Sequence, residues 1–511
     1  MWGPAWAYPF DRSVRRSQTH WAYRAACSAS ASCRSARWMK TISLPRLACL
    51  HATPPFHRSA GLIRQWSTGT SKARWPHSNR ELSMKIVMLC EFYNEELDYQ
   101  EVMLAKYYRS LCHEVVVIAG ATTSVHDYMS GRDGPHAQTI QEGRYARIYR
   151  MPIRMTLMKK IVVYQSVRKI IDIERPDLLY FHDIIPNMLE GLNYLRKNPE
   201  VCAIMDYHAD FSNSGATRLS RLLLHRLSRR LVLARIRSRL SAILPIVPGS
   251  QRFLADLYGV PATETELFPL GVDMLEVAAT HESGARTTIR RTLGIPDDAL
   301  VIFTGGKLTP LKRTEEVLRA VALLDDPRIH VIVVGSVTGN PDYETLLREI
   351  PAKSVHFVGW QDRLGVYRHQ AASDLAIFPA SQSVLWQQST GMGLPLVVSE
   401  GSGSGRARQD VGYMNRGNIH VLDPAQELAP QIAAFLSACH DDPGILSGMS
   451  AAAEAVTRTL LSYDRLARRT IEITNMHRQS HGAAPLAVDA CAPADHCSAT
   501  GSGGSKAALA T

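Results

Sequence analysis

Cysteine is scarce, at nine of 511 residues, and no Cys-x-x-Cys or paired Cys/His spacing occurs. This excludes a disulfide-built miniprotein and a zinc module, and leads to an expectation of free thiols in a reducing compartment. Long apolar runs are missing too, since no stretch reaches the roughly 18 uncharged apolar residues of a membrane span. Charged residues make up 21% against 45% apolar, which excludes disordered and collagen-like chains. The length leaves room for two to four domains with cores of their own.

Acidic residues are nearly absent from the first 83 positions, which hold thirteen Lys/Arg but only Asp11 and Glu81. That segment therefore accounts for the whole formal charge of +11, and the remainder is neutral. It also carries six of the eight Trp and shows no helical or alternating apolar period. Three explanations stand: an upstream start codon read in place of Met84, an acid-poor targeting leader, or a basic arm. Met84-Lys85-Ile86-Val87-Met88-Leu89 opens the first recognisable strand. From about Gln479 the chain turns rich in Ala, Gly, Ser and Pro, the composition of a flexible tail.

Between these ends, short apolar runs alternate with helical stretches. The first series lies at 86–89, 115–119, 178–181, 202–205 and 242–247. A second lies at 301–304, 331–334, 355–358, 375–378 and 396–398. Uninterrupted apolar runs separated by helices predict parallel strands covered on both faces. The fold class is thus α/β, with two Rossmann-like doubly wound domains at 84–270 and 271–478 and a junction within 265–295. Ligands in such sheets bind beyond the carboxyl ends of the strands.

One strand-to-helix turn stands out: Gly305-Gly306-Lys307-Leu308-Thr309-Pro310-Leu311-Lys312. Two glycines permit close backbone approach, and two lysines beside a helix N-terminus favour an anion, as in a diphosphate cradle. The same residues also suit a plain glycine turn with two solvated lysines. No Gly-Lys-Ser/Thr follows, so this is not a Walker loop.

The segment resembles the donor-phosphate loop of the group 1, family 4 glycosyltransferases of the GT-B fold. Phe268-Pro269-Leu270-Gly271-Val272-Asp273 is similar to that family's interdomain segment. Val333-Val334-Gly335, Val355-His356-Phe357-Val358-Gly359-Trp360 and Ala372-Ser373-Asp374-Leu375-Ala376-Ile377-Phe378-Pro379 resemble its later strand ends. The likeness covers about residues 84 to 478. It implies that Gly305, Gly306, Lys307 and Lys312 hold the diphosphate of a nucleotide-sugar donor.

The departures matter as much. Family members carry two Glu before a Gly-x-Pro turn. Counting back from Gly393-Leu394-Pro395, Gln388 takes the place that holds the ribose, and Gln382 or Ser383 lies nearest the other. The resemblance therefore implies Ser383 and Gln388 as ribose and sugar contacts. Ser383-Val384-Leu385-Trp386-Gln387-Gln388 also resembles a variant found in bacterial surface-polysaccharide transferases, or reads as a helix start with Trp386 in the core. Phe92-Tyr93-Asn94-Glu95-Glu96 lacks the family's Gly-Gly pair, and Tyr99-Gln100-Glu101 opens a helix on the acceptor side.

Two histidines sit at strand ends, His182 in Tyr180-Phe181-His182-Asp183 and His208 in Asp206-Tyr207-His208-Ala209-Asp210. Each has a purely structural reading. Placed on neighbouring strands they would face one site, and the resemblance assigns them contacts to donor sugar or acceptor hydroxyl as catalytic residues. It further implies transfer with retention, the leaving diphosphate helping to deprotonate the acceptor, with no metal or other cofactor. No Asp-x-Asp metal motif occurs.

Residues 218–240 hold eight arginines (Arg218, Arg221, Arg226, Arg229, Arg230, Arg235, Arg237 and Arg239), no acid, and interleaved Leu and Ile. A basic amphipathic helix with leucines on its other face suits an anionic membrane surface. It also suits an ordinary packed helix with a solvated Arg face. No interleaved aromatics suggest nucleic-acid stacking. The sequence-level expectation is a cytoplasmic, peripheral bacterial glycosyltransferase acting on a lipid-linked or polysaccharide acceptor. A catalytically silent nucleotide- or glycan-binding protein, or a nucleotide-sugar epimerase of similar fold, are the alternatives.

Overall fold

The computed structural model describes residues 83–123, 137–157, 161–214, 217, 220–337, 339–380, 383–399 and 410–491, all within one compact unit. The basic leader up to residue 82, the end of the tail from 492, Arg218 and Gln382 lie outside the described residues.

In chain order the first strands are β1 (Lys85–Cys90), β2 (Glu114–Gly120), β3 (Thr139–Glu142), β4 (Arg147–Met151), β5 (Ile153–Leu157), β6 (Ile161–Tyr164), β7 (Leu178–His182), β8 (Cys202–Tyr207) and β9 (Ala242–Pro245). Seven of them form a sheet ordered β3-β4-β2-β1-β7-β8-β9, parallel except for β3, while β5 and β6 pair as a separate hairpin. The second sheet contains β10 (Leu300–Leu308), β11 (Ile329–Val337), β12 (Val355–Gly359), β13 (Leu375–Phe378), β14 (Leu396–Ser399) and β15 (Ile419–Leu422). Its order is β12-β11-β10-β13-β14-β15, parallel throughout. Every apolar run read from the sequence is a strand, and β3 to β6 and β15 are additional.

The central strands of each sheet are buried on both faces, as in parallel sheets generally. In β1, Val87 and Leu89 enter one core while Ile86 and Met88 enter the other. In β10, Val301 and Phe303 face one core and Ile302 the opposite one. The chain crosses between the sheets twice. Phe268 packs in the first sheet's core and Val272 in the second's, so the intervening residues form the crossing segment. The helix Tyr463–Ser480 then returns, burying Leu466, Ile471 and Ile473 against the first sheet. At about 1.5–3 kcal/mol per buried aliphatic side chain, these three anchor it firmly.

An ion network fastens the crossing. Asp273 accepts from Tyr107 Oη at 2.9 Å and pairs with Lys106, both on the helix Gln100–Ser110. Arg363, from the second half, reaches Asp98 Oδ2 at 2.9 Å and Asp273 Oδ2 at 3.6 Å.

Two expectations are corrected at the C-terminal end. Residues 479–491 are not a loose tail: the last helix runs to Ser480, and Leu486 and Val488 pack on the first sheet's core. Cys112 and Cys491 are disulfide-bonded, across a separation of 379 residues, so not all thiols are free. Cys90, Cys202 and Cys439 are free and buried.

The arginine-rich stretch is also rearranged. Ser220–Arg229 is π-helical and continues as an α-helix over Arg230–Ile236. Leu224, His225, Arg229, Leu233 and Ile236 face inward, while Leu222, Leu223, Leu227 and Leu231 are exposed beside Arg226, Arg230 and Arg235. Leucines and arginines thus share one outer face instead of lying on opposite faces. Arg229 departs from the other arginines, being buried with Nη1 3.9 Å from Asp183 Oδ1. No helix among the described residues is long and apolar enough to cross a membrane.

Candidate active site

Two clusters stand at the carboxyl ends of the two sheets. In the first, His182 ends β7 and His208 directly follows β8, with His182 paired in register to Asp206. Asp206 is fully buried and its Oδ2 sits 2.9 Å from His182 Nδ1 and 3.1 Å from His208 Nε2. The same oxygen accepts from Tyr180 Oη at 2.9 Å, and Oδ1 accepts the Asp183 backbone N–H at 3.1 Å. Glu101, in the first turn of the helix Gln100–Ser110, places Oε2 3.2 Å from His182 Nε2. The two imidazoles meet edge to face, with centroids 4.5 Å apart.

The electrostatics separate the two rings. Burial alone would lower His182, but the carboxylates of Asp206 and Glu101 outweigh it and raise its pKa to about 9. For His208 burial prevails over the attraction of Asp206, and its pKa is lowered. Asp206 is held well below the usual carboxylate range: burial opposes ionisation, and the two histidines overcome it. Burial raises Glu101. Near neutral pH the cluster thus presents a charged His182 and an uncharged His208 around one buried carboxylate.

In the second cluster the expected turn is partly strand. β10 continues to Leu308, pairing Gly306 with Gly335 and Lys307 with Ser336 of β11. The glycines are needed for the sheet itself. A Cβ on Gly305 would lie 2.3 Å from the Val334 carbonyl oxygen, and one on Gly335 1.9 Å from that of Gly306. Gly306 adopts φ 112°, turned toward the helix Leu385–Gly391, where its Cβ would stand 3.7 Å from Leu385. Lys312 closes the short 3-10 turn Pro310–Lys312, just ahead of the helix Thr314–Leu324. Burial pushes its ammonium down to about 8.

Ser383 is buried, with Oγ accepting from the Leu385 backbone N–H at 3.3 Å. Gln388 lies half-buried on the helix that follows. Trp386 on this helix is in the core, as its structural reading anticipated. Its neighbour Gln387 is more enclosed than Gln388: Nε2 donates to Tyr413 Oη at 2.8 Å while Oε1 is buried without a partner. The structure therefore groups His182 with His208 on one sheet, and Gly305, Gly306, Lys307 and Lys312 on the other. The roles of Asp206 and Glu101 were missed, although both residues stood inside motifs already singled out.

A model described as Glycosyltransferase Family 4 matches residues 102–274, and one described as Glycosyl transferases group 1 matches residues 285–404. Together they span more than half of the chain, each falling on one sheet. The chain belongs to the group 1, family 4 glycosyltransferases. Among curated glycosyltransferases it is similar to the D-inositol 3-phosphate glycosyltransferase of Stackebrandtia nassauensis, 31% identical over 142 residues, 26% of this chain and 30% of that one. The protein of the same name from Streptomyces griseus is 29% identical over 244 residues, 41% and 49% of the two chains. The chain thus spans less than half the length of these relatives.

Two solved structures share the architecture of this chain. A glycosyltransferase from Rickettsia africae superposes with TM-score 0.53 at 12% identity, covering 77% of this chain and 98% of the other. Anabaena HepE in complex with UDP gives TM-score 0.53 at 17% identity, covering 76% and 99%. At these identities the likeness carries the fold, which is GT-B.

Proposed function

We propose that this chain transfers a hexosyl or related sugar, with retention, from a nucleotide-diphosphate sugar to a lipid-linked or polysaccharide acceptor in cell-surface glycan synthesis at the cytoplasmic membrane face. The observation that carries the reading is the pair of clusters at the carboxyl ends of the two sheets, one of imidazoles on a buried carboxylate and one of glycines and lysines. The UDP complex of HepE supports a nucleotide donor.

Lys307 and Lys312 stabilise the departing diphosphate, and Gly305 and Gly306 let the backbone approach it. Ser383 and Gln388 orient the ribose and the sugar. The bond from the anomeric carbon to the diphosphate oxygen breaks as the acceptor oxygen bonds on the same face, and the acceptor proton passes to the leaving diphosphate. His182, charged near neutral pH, donates a hydrogen bond and is no general base; uncharged His208 and Asp206 hold its position. The transfer proposed needs alignment and charge stabilisation from these side chains, and no metal ion.

Exposed Leu222, Leu223, Leu227 and Leu231 beside Arg226, Arg230 and Arg235 support docking on an anionic bilayer, where leucines enter the headgroup boundary and arginines face lipid phosphates. The deciding experiment is NMR of the product's anomeric proton after reaction with a donor of known configuration. Retained configuration is expected, and inversion would refute the mechanism.

A further inference from the structure

The His182–Asp206–His208 cluster has a second property, separate from sugar transfer. A ring nitrogen of His182, a carboxylate oxygen of Asp206 and a ring nitrogen of His208 all lie within 4.8 Å of one another. With metal–ligand bonds of about 2.0–2.1 Å, tetrahedral ligand atoms stand roughly 3.3 Å apart. The contacts of 2.9 and 3.1 Å to Asp206 need only widen by a few tenths of an ångström. Two of the outer atoms are already served. His182 Nε2 faces the Glu101 carboxylate at 3.2 Å, and Asp206 Oδ1 accepts the Asp183 N–H at 3.1 Å. This is the support that metal-binding histidines and carboxylates use. His182 keeps 18% of its side chain exposed, leaving a route for entry and a fourth position for water.

We propose that His182, Asp206 and His208 bind a divalent cation of the zinc class, two imidazoles and one carboxylate being a set that suits it. The ion displaces a proton from His182 to solvent as it binds and is no part of the transfer: it occupies a nitrogen of each imidazole and so competes with substrate, making the site inhibitory.

Equilibrium dialysis of the full chain against Zn2+, and against Co2+ with its visible absorption recorded, tests this directly. The unaltered protein is expected to hold one equivalent more than His182→Gln or His208→Gln, with tetrahedral Co2+ bands absent from both. Glu101→Gln should retain the site with affinity about ten- to a hundredfold weaker. Circular dichroism checks folding, and either histidine variant suffices if the other does not fold. Equal uptake by the folded variants and the unaltered chain, or no Co2+ bands, would overturn the site. Because uptake is measured without donor or acceptor, that failure is distinguishable from failure of the glycosyltransferase reading.

Discussion

Replacing Lys312 by alanine removes one ammonium from the proposed diphosphate site without touching either core. A charge-assisted contact of this kind is worth about 1.5–3 kcal/mol, so nucleoside-diphosphate affinity should fall roughly ten- to a hundredfold. The environment adds a pH signature. Burial lowers the Lys312 pKa to about 8, below its ordinary value of 10.5, so the free protein loses this charge as pH rises through 8. Affinity should then decline about tenfold per pH unit above 8, until the bound-state pKa is passed. The alanine variant should lack that part of the decline. Stability moves the other way: the half-buried ammonium disfavours the folded state below pH 8, a penalty that disappears as pH rises toward 10.5. The variant should therefore melt no lower than the parent at neutral pH. Isothermal titration calorimetry with UDP and GDP from pH 7 to 9.5 supplies the measurement. Equal affinities, or parallel pH slopes in both proteins, would refute the assignment of Lys312 to the diphosphate.

Further outcomes follow from the same geometry. Gly335→Ala forces a Cβ within 1.9 Å of the Gly306 carbonyl oxygen, so thermal melting should show destabilisation of about 2 kcal/mol or more, with nucleotide binding impaired. His182, raised to about 9 from 6.5, contributes stability that is fully present below pH 6.5 and lost as pH rises through 9. Urea unfolding should accordingly separate parent from His182→Gln at pH 6 and bring them together near pH 10. Changing Arg226, Arg230 and Arg235 together to Gln should reduce co-sedimentation with anionic vesicles at low salt while leaving nucleotide affinity unchanged. Arg229 is excluded from that set because it is buried. Salt-independent vesicle binding would count against the docking face.

Legibility followed burial. β1, β2, β10 and β13 were readable because central parallel strands are apolar on both faces. Edge strand β3 was not, since its residues alternate little and are largely exposed. The composition of the tail concealed Leu486 and Val488, which dock on a core assembled from residues hundreds of positions away. No local spacing announces the Cys112–Cys491 bond. At the candidate site, His182 and His208 were visible as strand-end residues. The partnership with Asp206 depends on β7–β8 register, and that with Glu101 on the docking of a helix from earlier in the chain. The glycine loop was legible as a motif, but its extension of β10 was not, because Gly305 meets the carbonyl of Val334 across the sheet.

The most direct test of the central reading is transfer of label from a panel of radiolabelled nucleotide-diphosphate sugars into lipid-extractable or polymeric glycan, using the full chain and membranes as acceptor source. Label from at least one donor should be incorporated, with equimolar release of the nucleoside diphosphate, and Lys312→Ala should reduce the rate. A donor that binds tightly yet is never turned over with any acceptor fraction would contradict the account and identify a nucleotide-binding protein without transferase activity.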